Sequence, residues 1–158
     1  MEELAKTLAE SLKRRGAVLV TAESCTGGWA AQVVTSVAGS SAWFDRGFVT
    51  YSNDAKRELL GVRAETLSRH GAVSEETARE MAQGALARGK GTVALSITGI
   101  AGPGGGSKDK PVGTVCFAWA TQRSTRAQTR RFSGDRESVR RQSVIHALEG
   151  VLQTLDAA

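Results

Sequence analysis

The stretch that most constrains this chain runs from Ala17 to Val37 and reads AVLVTAESCTGGWAAQVVTSV. Val18-Leu19-Val20-Thr21 is an apolar, β-branched run of the kind that forms a buried strand. Trp29, Ala30, Val33, Val34 and Val37 recur at the spacing of a helix face. Between them lie only Glu23-Ser24-Cys25-Thr26-Gly27-Gly28. A strand that enters a helix through so small a turn aims backbone N–H groups at whatever occupies the helix start. The turn thus joins a carboxylate, hydroxyls and a thiol to a place for an anion.

The rest of the chain arranges itself around that unit. Leu4, Leu8 and Leu12, with Ala5 and Ala9, form one stripe of a first helix; Lys13, Arg14 and Arg15 complement its negative end and Gly16 stops it. Gly39-Ser40-Ser41 breaks the second helix, and Phe44 to Ser52 reads as a strand in which Gly47 marks a bulge or a close approach. Asn53 or Asp54 is placed to cap a helix over Ala55 to Leu60, ended by Gly61, with another helical turn between Val62 and His70. Ser74-Glu75-Glu76 starts a helix whose buried face is Ala78, Met81, Ala82, Ala85 and Leu86. Strands follow over Thr92 to Ile97, Val112 to Thr121 and Ala127 to Phe132, the first two separated by a glycine-rich loop from Thr98 to Ser107. Asp135 can cap a last helix carrying Val139, Val144, Leu148, Val151, Leu152 and Leu155. The expected architecture is a single α/β domain over residues 1–158, a layered α/β/α fold with a mixed, mostly parallel central sheet whose late strands are antiparallel.

Composition narrows the function classes. No apolar run approaches the roughly 20 residues that cross a bilayer, and Glu2, Glu3, Lys6 and Glu10 make the N-terminal helix too polar for a signal peptide. A cytoplasmic protein with no membrane partner is expected. The two cysteines, Cys25 and Cys116, form no CxxC and have no histidine pairing nearby, which argues against a disulfide scaffold and against a zinc site. The net charge of +5 is concentrated in Arg123, Arg126, Arg130, Arg131, Arg136, Arg140 and Arg141. Phe132 is the one aromatic ring among them, so a stacking platform for nucleic acid is poorly supported and an anionic small-molecule substrate remains.

Ser24 is the leading nucleophile by position, after a strand and before a helix, although the G-x-S-x-G spacing of a hydrolase elbow is absent. The competing reading is that Ser24 or Thr26 merely caps the helix. His70 and His146 stand in helical contexts that do not suit a Ser-His-Asp triad. A lysine can replace histidine if burial or neighbouring charge lowers its pKa. Lys56, in the first turn of the helix after the strand ending at Tyr51-Ser52, is the candidate, against the alternative of a solvated surface lysine. Cys25 is a rival nucleophile, because a thiol at a helix N-terminus is acidified. The glycines from Gly99 to Gly106 suit a backbone cradle for phosphate or a flexible connector, and match neither a Walker motif nor G-x-G-x-x-G.

Taken in order, TAESCTGG, GSSAWFDRGFVTYSNDAK, GAVSEETA, SITGIAGPGGGSKDKPVGTV and FSGDRESVR resemble the CinA C-terminal domain family over about Leu4 to Leu155. Standalone members of that family are bacterial nicotinamide-nucleotide amidases. The resemblance implies hydrolysis of the carboxamide of nicotinamide mononucleotide to nicotinic acid mononucleotide and ammonia, in pyridine-nucleotide salvage, by a Ser/Lys mechanism without metal or cofactor. It assigns the serine to Ser24 and the lysine to Lys56. One departure is visible: Gly104 follows Pro103 where the family usually has an acidic or polar residue. On this reading the N–H groups of Thr26, Gly27 and Gly28 hold the oxyanion, and Tyr51 and Thr98 partner the lysine or the leaving amine. The loop from Gly99, with Arg136 or Arg140, takes the 5′-phosphate, and Glu23 orients Lys56 or a ribose hydroxyl. A homodimer or larger homo-oligomer is implied, with Trp43-Phe44 either at an interface or in the core. The alternative function is a nucleotide-binding regulatory module with no turnover.

Overall fold

The structure is a computed structural model and describes residues 1–157. Its elements, in order, are α1 (Glu2–Arg15), β1 (Leu19–Glu23), α2 (Trp29–Thr35), β2 (Phe44–Val49), α3 (Asn53–Leu60), α4 (Ala64–His70), α5 (Glu75–Arg88), β3 (Val93–Gly99), β4 (Thr114–Thr121), β5 (Thr125–Arg131) and α6 (Arg136–Asp156). The strands form one sheet in the order β2-β1-β3-β4-β5. β1 runs parallel to both β2 and β3, whereas β4 is antiparallel to β3 and β5 to β4. The sheet is therefore mixed: four of its strands point one way and only β4 opposes them.

Alternation along the strands sorts side chains into two cores. Leu19, Leu95, Ile97, Phe117 and Trp119 project to one face, where they meet the apolar sides of α1, α2 and α6. Val20, Ala22, Ala94, Ala118 and Ala120 project to the other, toward α3 and α5. That second face is lined with small residues, so α5, built on Ala78, Ala82 and Ala85, lies close to the sheet. Helix α3 is drawn against α5 as well. A Cβ added at Gly84 would sit 1.9 Å from the Leu60 carbonyl oxygen, a contact that only glycine allows. This packing carries Lys56, one turn before Leu60, into the interior.

Several boundaries and placements differ from expectation. Strand β2 stops at Val49, and the cap of α3 is Ser52, whose hydroxyl accepts from the Ala55 N–H at 3.0 Å, not Asn53 or Asp54. The two expected alternatives at Gly47 resolve as a close approach: a Cβ there would lie 2.7 Å from Thr21 Oγ1. The extra residue in the β1–β2 register falls earlier, because Leu19 faces Phe44 while Val20 faces Arg46. Trp43 is in the core at 1% exposure, and Phe44 packs partly buried beside it. His146 does not lie on a polar flank of α6. Its ring packs edge-on against Phe117, with Trp119 and Phe132 around it, and burial together with Arg130 and Arg126 lowers its pKa to about 4.

Parallel pairing brings the carboxyl ends of β1, β2 and β3 to one edge, with Glu23 opposite both Val49 and Ile97. The chain leaves β1 toward β2 on one side and leaves β3 toward β4 on the other. Such divergence opens a crevice above the strand ends, the usual place for a ligand in an α/β sheet.

Candidate active site

The turn after β1 is held from below. The Ser24 N–H donates to the Ile97 carbonyl at 2.9 Å and the Gly27 N–H to the Ser24 carbonyl at 3.0 Å. Gly27 and Gly28 both adopt left-handed backbone, φ 61° and 104°, which a side chain would strain. Glu23 folds back under them. Its carboxylate accepts from Thr26 Oγ1 at 2.6 Å, from the Ala30 N–H at 2.8 Å and from the Ala31 N–H at 3.1 Å. A buried carboxylate on the first N–H groups of α2 is favoured by the helix dipole and by the charge-assisted bonds. Glu23 is thus placed neither beside Lys56 nor toward a ribose, and it supplies the cap that Ser24 or Thr26 was expected to provide. Gly28 is the N-cap residue and offers no side-chain bond, so the hydroxyl of Ser24 is released from that duty.

Across the crevice, Lys56 comes in from α3 at 1% exposure. Its Nζ lies 2.9 Å from Ser24 Oγ, and it donates to the carbonyls of Thr50 at 2.8 Å and Tyr51 at 3.1 Å. Burial pushes the ammonium down from 10.5 to about 8, with the Cys25 thiol acting weakly in the other direction. An amine near pH 8 is neutral in an appreciable fraction at physiological pH. In that form two N–H bonds remain on the carbonyls and the lone pair faces the serine hydroxyl, the geometry of a general base. The solvated-lysine reading is excluded.

Tyr51 meets this pair through its backbone. The Tyr51 carbonyl also accepts from Ser24 Oγ at 3.4 Å, while the residue is 61% exposed and its phenol accepts from Arg136 at 3.1 Å. Thr98 is close in the sheet but its hydroxyl donates to the Ala72 carbonyl at 2.8 Å, so it does not partner the lysine. Gly99 packs tightly on β4, where a Cβ would come within 2.7 Å of Val115. Cys25 points into the apolar core, and desolvation raises its thiol to about 11, the opposite of activation.

The two arginines approach the turn from the first turns of α6. Arg136 donates to the Gly102 carbonyl at 2.8 Å as well as to Tyr51, spanning the glycine loop and the end of β2. Arg140 donates to the carbonyls of Cys25 at 3.0 Å and Thr26 at 3.2 Å. The N–H groups of Thr26 and Gly28 make no hydrogen bond among the described residues, whereas that of Gly27 is occupied. His70 sits at the end of α4 near Glu76 at 3.4 Å. Among the described residues, no three His, Cys, Asp or Glu side chains converge as a metal site. The participants that side-chain patterns could not reveal are the Thr50 carbonyl and Ala72, because both act through the backbone.

Sequence and structure comparisons agree on what this arrangement belongs to. The family model described as the CinA C-terminal domain matches residues 1–155. Nicotinamide-nucleotide amidohydrolase PncC of Escherichia coli strain K12 is 58% identical over 152 residues, covering 96% of this chain and 92% of the relative. Among solved structures, the competence/damage inducible protein CihA of Agrobacterium tumefaciens superposes with a TM-score of 0.94 at 48% identity, over 98% of this chain and 94% of that one. A CinA superfamily protein of Klebsiella pneumoniae gives 0.96 at 43% identity, over 99% and 98%. Matched along nearly all its length in both sequence and backbone, the chain belongs to the CinA C-terminal domain family.

Proposed function

We propose that this chain hydrolyses the carboxamide of nicotinamide mononucleotide to nicotinic acid mononucleotide and ammonia, with Ser24 as nucleophile and Lys56 as its base. The observation that carries the reading is the 2.9 Å approach of a buried, pKa-lowered Lys56 Nζ to Ser24 Oγ. The substrate class is supported by the Escherichia coli relative, a nicotinamide-nucleotide amidohydrolase.

In this mechanism neutral Lys56 takes the Ser24 proton as Oγ attacks the amide carbonyl carbon. The resulting oxyanion lies against the unpaired N–H groups of Thr26 and Gly28, preorganised donors of the kind that dominate acyl-transfer catalysis. Collapse breaks the C–N bond, and the Lys56 ammonium returns its proton to the departing nitrogen, which leaves as ammonia. Water then attacks the Ser24 ester as Lys56 takes its proton. On collapse the acyl–Oγ bond breaks, Lys56 returns that proton to Ser24 Oγ, and the carboxylic acid product leaves and ionises. Arg136, exposed at the rim between Gly102 and Tyr51, is positioned to exchange those neutral partners for the 5′-phosphate, a stronger charge-assisted pairing. A cytoplasmic homo-oligomer, dimer or larger, is part of the same proposal. Exposed Val49, Tyr51 and Leu59 on and after edge strand β2 supply an apolar rim that an assembly would cover.

The test is incubation of the purified protein with nicotinamide mononucleotide and measurement of ammonia. Release that disappears in both Ser24→Ala and Lys56→Ala supports the reading. Tight nucleotide binding without ammonia from the wild-type chain returns the function to a regulatory module.

A further inference from the structure

We infer that Arg140 is the positioning residue of the oxyanion site, fixing the Cys25–Thr26 peptide so that its N–H faces the reacting carbonyl. The inference rests on the acyl-transfer reading of Ser24 and assigns Arg140 a task other than holding phosphate.

The argument begins with the peptide plane. In a trans peptide the C=O and the following N–H point in opposite directions. Arg140 Nε donates to the Cys25 carbonyl at 3.0 Å, so the Thr26 N–H points away from the guanidinium. The direction away is set by the layers of the fold. Arg140 belongs to α6, which packs with α1 and α2 on one face of the sheet. Ser24 meets Lys56 of α3, which packs with α5 on the opposite face. The peptide between Cys25 and Thr26 therefore presents its oxygen to the α6 layer and its N–H to the side where Ser24 Oγ and Lys56 lie.

The second bond makes the arrangement rigid. Arg140 also donates to the Thr26 carbonyl at 3.2 Å, and the N–H opposite that oxygen, on Gly27, is already tied to the Ser24 carbonyl at 3.0 Å. Two successive carbonyls are thus gripped by one planar guanidinium, whose donors stand in a fixed fork. The Thr26 N–H is left as the donor of the pair with no partner among the described residues. Gly27 permits the turn that presents these carbonyls through its left-handed backbone, φ 61°, and not by clearing space, since a Cβ there would make only ordinary contact with Arg140 Nη2 at 3.6 Å. The ring of Trp29, 5.5 Å below the guanidinium carbon, holds the side chain over the turn. With Nε and Nη2 each donating to one of these carbonyls, half-buried Arg140 is built into the turn, in contrast to Arg136 at the exposed rim.

A lysine at this position keeps the charge but cannot hold both carbonyls in one plane. Loss of a whole oxyanion donor costs ~100- to 1000-fold in rate, and loosening one costs less, so Arg140→Lys is expected to lower kcat about 10- to 100-fold. KM for nicotinamide mononucleotide should stay within about twofold, since ground-state contacts are untouched. In Arg140→Ala, added guanidinium ion should restore part of kcat without changing KM. A rise in KM at preserved kcat would make Arg140 a substrate ligand and overturn the inference, as would wild-type kcat in Arg140→Lys or absence of rescue in a folded Arg140→Ala. Nucleotide binding to Ser24→Ala and to Ser24→Ala/Arg140→Lys should be equally tight; a weaker double variant counts against positioning. If the wild-type chain itself releases no ammonia, the failure is of the amidase reading and not of this assignment.

Discussion

Lys56 Nζ lies 2.9 Å from Ser24 Oγ and is anchored on the far side by two backbone carbonyls, those of Thr50 and Tyr51. The two residues are separated by 32 positions and meet because α3 is pressed into the interior against α5. Removing either should eliminate turnover without unfolding the chain. Ser24→Ala and Lys56→Ala are each expected to lower ammonia release by on the order of 10,000-fold or more, the scale seen when a member of a nucleophile–base unit is deleted. Cys25→Ala should keep activity within a few-fold, because its thiol is buried and raised to about 11. Substantial activity in Ser24→Ala, or its loss in Cys25→Ala, would reverse the assignment of the nucleophile.

The pH profile follows from the lowered amine. Lys56 acts as a base only when neutral, and burial brings its pKa to about 8. The rate constant kcat/KM should therefore climb about tenfold per pH unit below that value and level off above it. Initial rates from pH 6 to 9.5 in a constant-ionic-strength buffer check this. A flat profile would mean that the lysine is not the titrating base.

The same shift has a separate signature in stability. Lys56 binds its proton less tightly in the folded chain, about 8, than in the unfolded one, near 10.5. Between those values the unfolded state holds the extra proton, so this group's contribution to stability rises with pH. Below about 8 the cost of the buried ammonium is present in full, on the order of 3 kcal/mol at 1.36 kcal/mol per unit. Lys56→Met removes the titration. Its stability relative to wild type should be most favourable at pH 7 and should decline steadily from pH 8 to 10.5. Urea unfolding of both proteins across that range gives the difference directly, and a pH-independent difference would contradict the burial cause.

Ser24 and Lys56 were legible as candidates from local position, one between a β-branched run and a helix face and the other in the first turn after a strand. Each kept a rival, a helix cap or a solvated lysine, until the family resemblance paired them. The three-layer α/β/α fold was legible from local signals, since strand alternation and helix spacing are short-range patterns. What stayed hidden depends on which backbone group a side chain finds. Glu23 reads as a site carboxylate, yet the N–H groups of Ala30 and Ala31 claim it. Tyr51 reads as a phenol near the base, whereas its carbonyl makes the contact. Arg140 meets Cys25 from 115 positions away, and no pattern in either segment specifies that pairing. Trp43 is drawn into the core, and His146 half-buried against Phe117, by tertiary packing that no local pattern announces.

Arg136 and Tyr51 make a coupled prediction about binding. The guanidinium donates to the Gly102 carbonyl and the Tyr51 phenol, two neutral acceptors that a phosphate would outcompete. Arg136→Ala should raise KM for nicotinamide mononucleotide about 10- to 100-fold, corresponding to ~1.5–3 kcal/mol for a hydrogen bond to a charged group, with kcat little changed. Tyr51→Phe should leave kcat within about threefold, because the carbonyl that touches Lys56 remains. A large kcat loss in Tyr51→Phe would restore a catalytic role to the phenol. Steady-state kinetics on the two variants decide both points.

Glu23 should control the turn without touching substrate. It is buried at 1% exposure, and its two oxygens satisfy the Thr26 hydroxyl and the first free N–H groups of α2. Glu23→Ala leaves those donors buried and unpaired, which costs ~1–3 kcal/mol for each group that water cannot reach. Some of that is recovered by relaxation of a helix only 7 residues long. A net loss of about 2–4 kcal/mol is expected, equivalent to a fall in Tm of roughly 4–16 °C for a chain of this size. Glu23→Gln keeps an acceptor oxygen but loses the charge and gains an amide donor that faces the same N–H groups. It should fall between wild type and Glu23→Ala in Tm. Because the turn also carries the donors for the oxyanion, both variants should lose kcat in the same order as they lose stability, with KM nearly constant. A Glu23→Gln protein with native Tm but altered KM would place the carboxylate against the ribose, and the capping role would then be wrong.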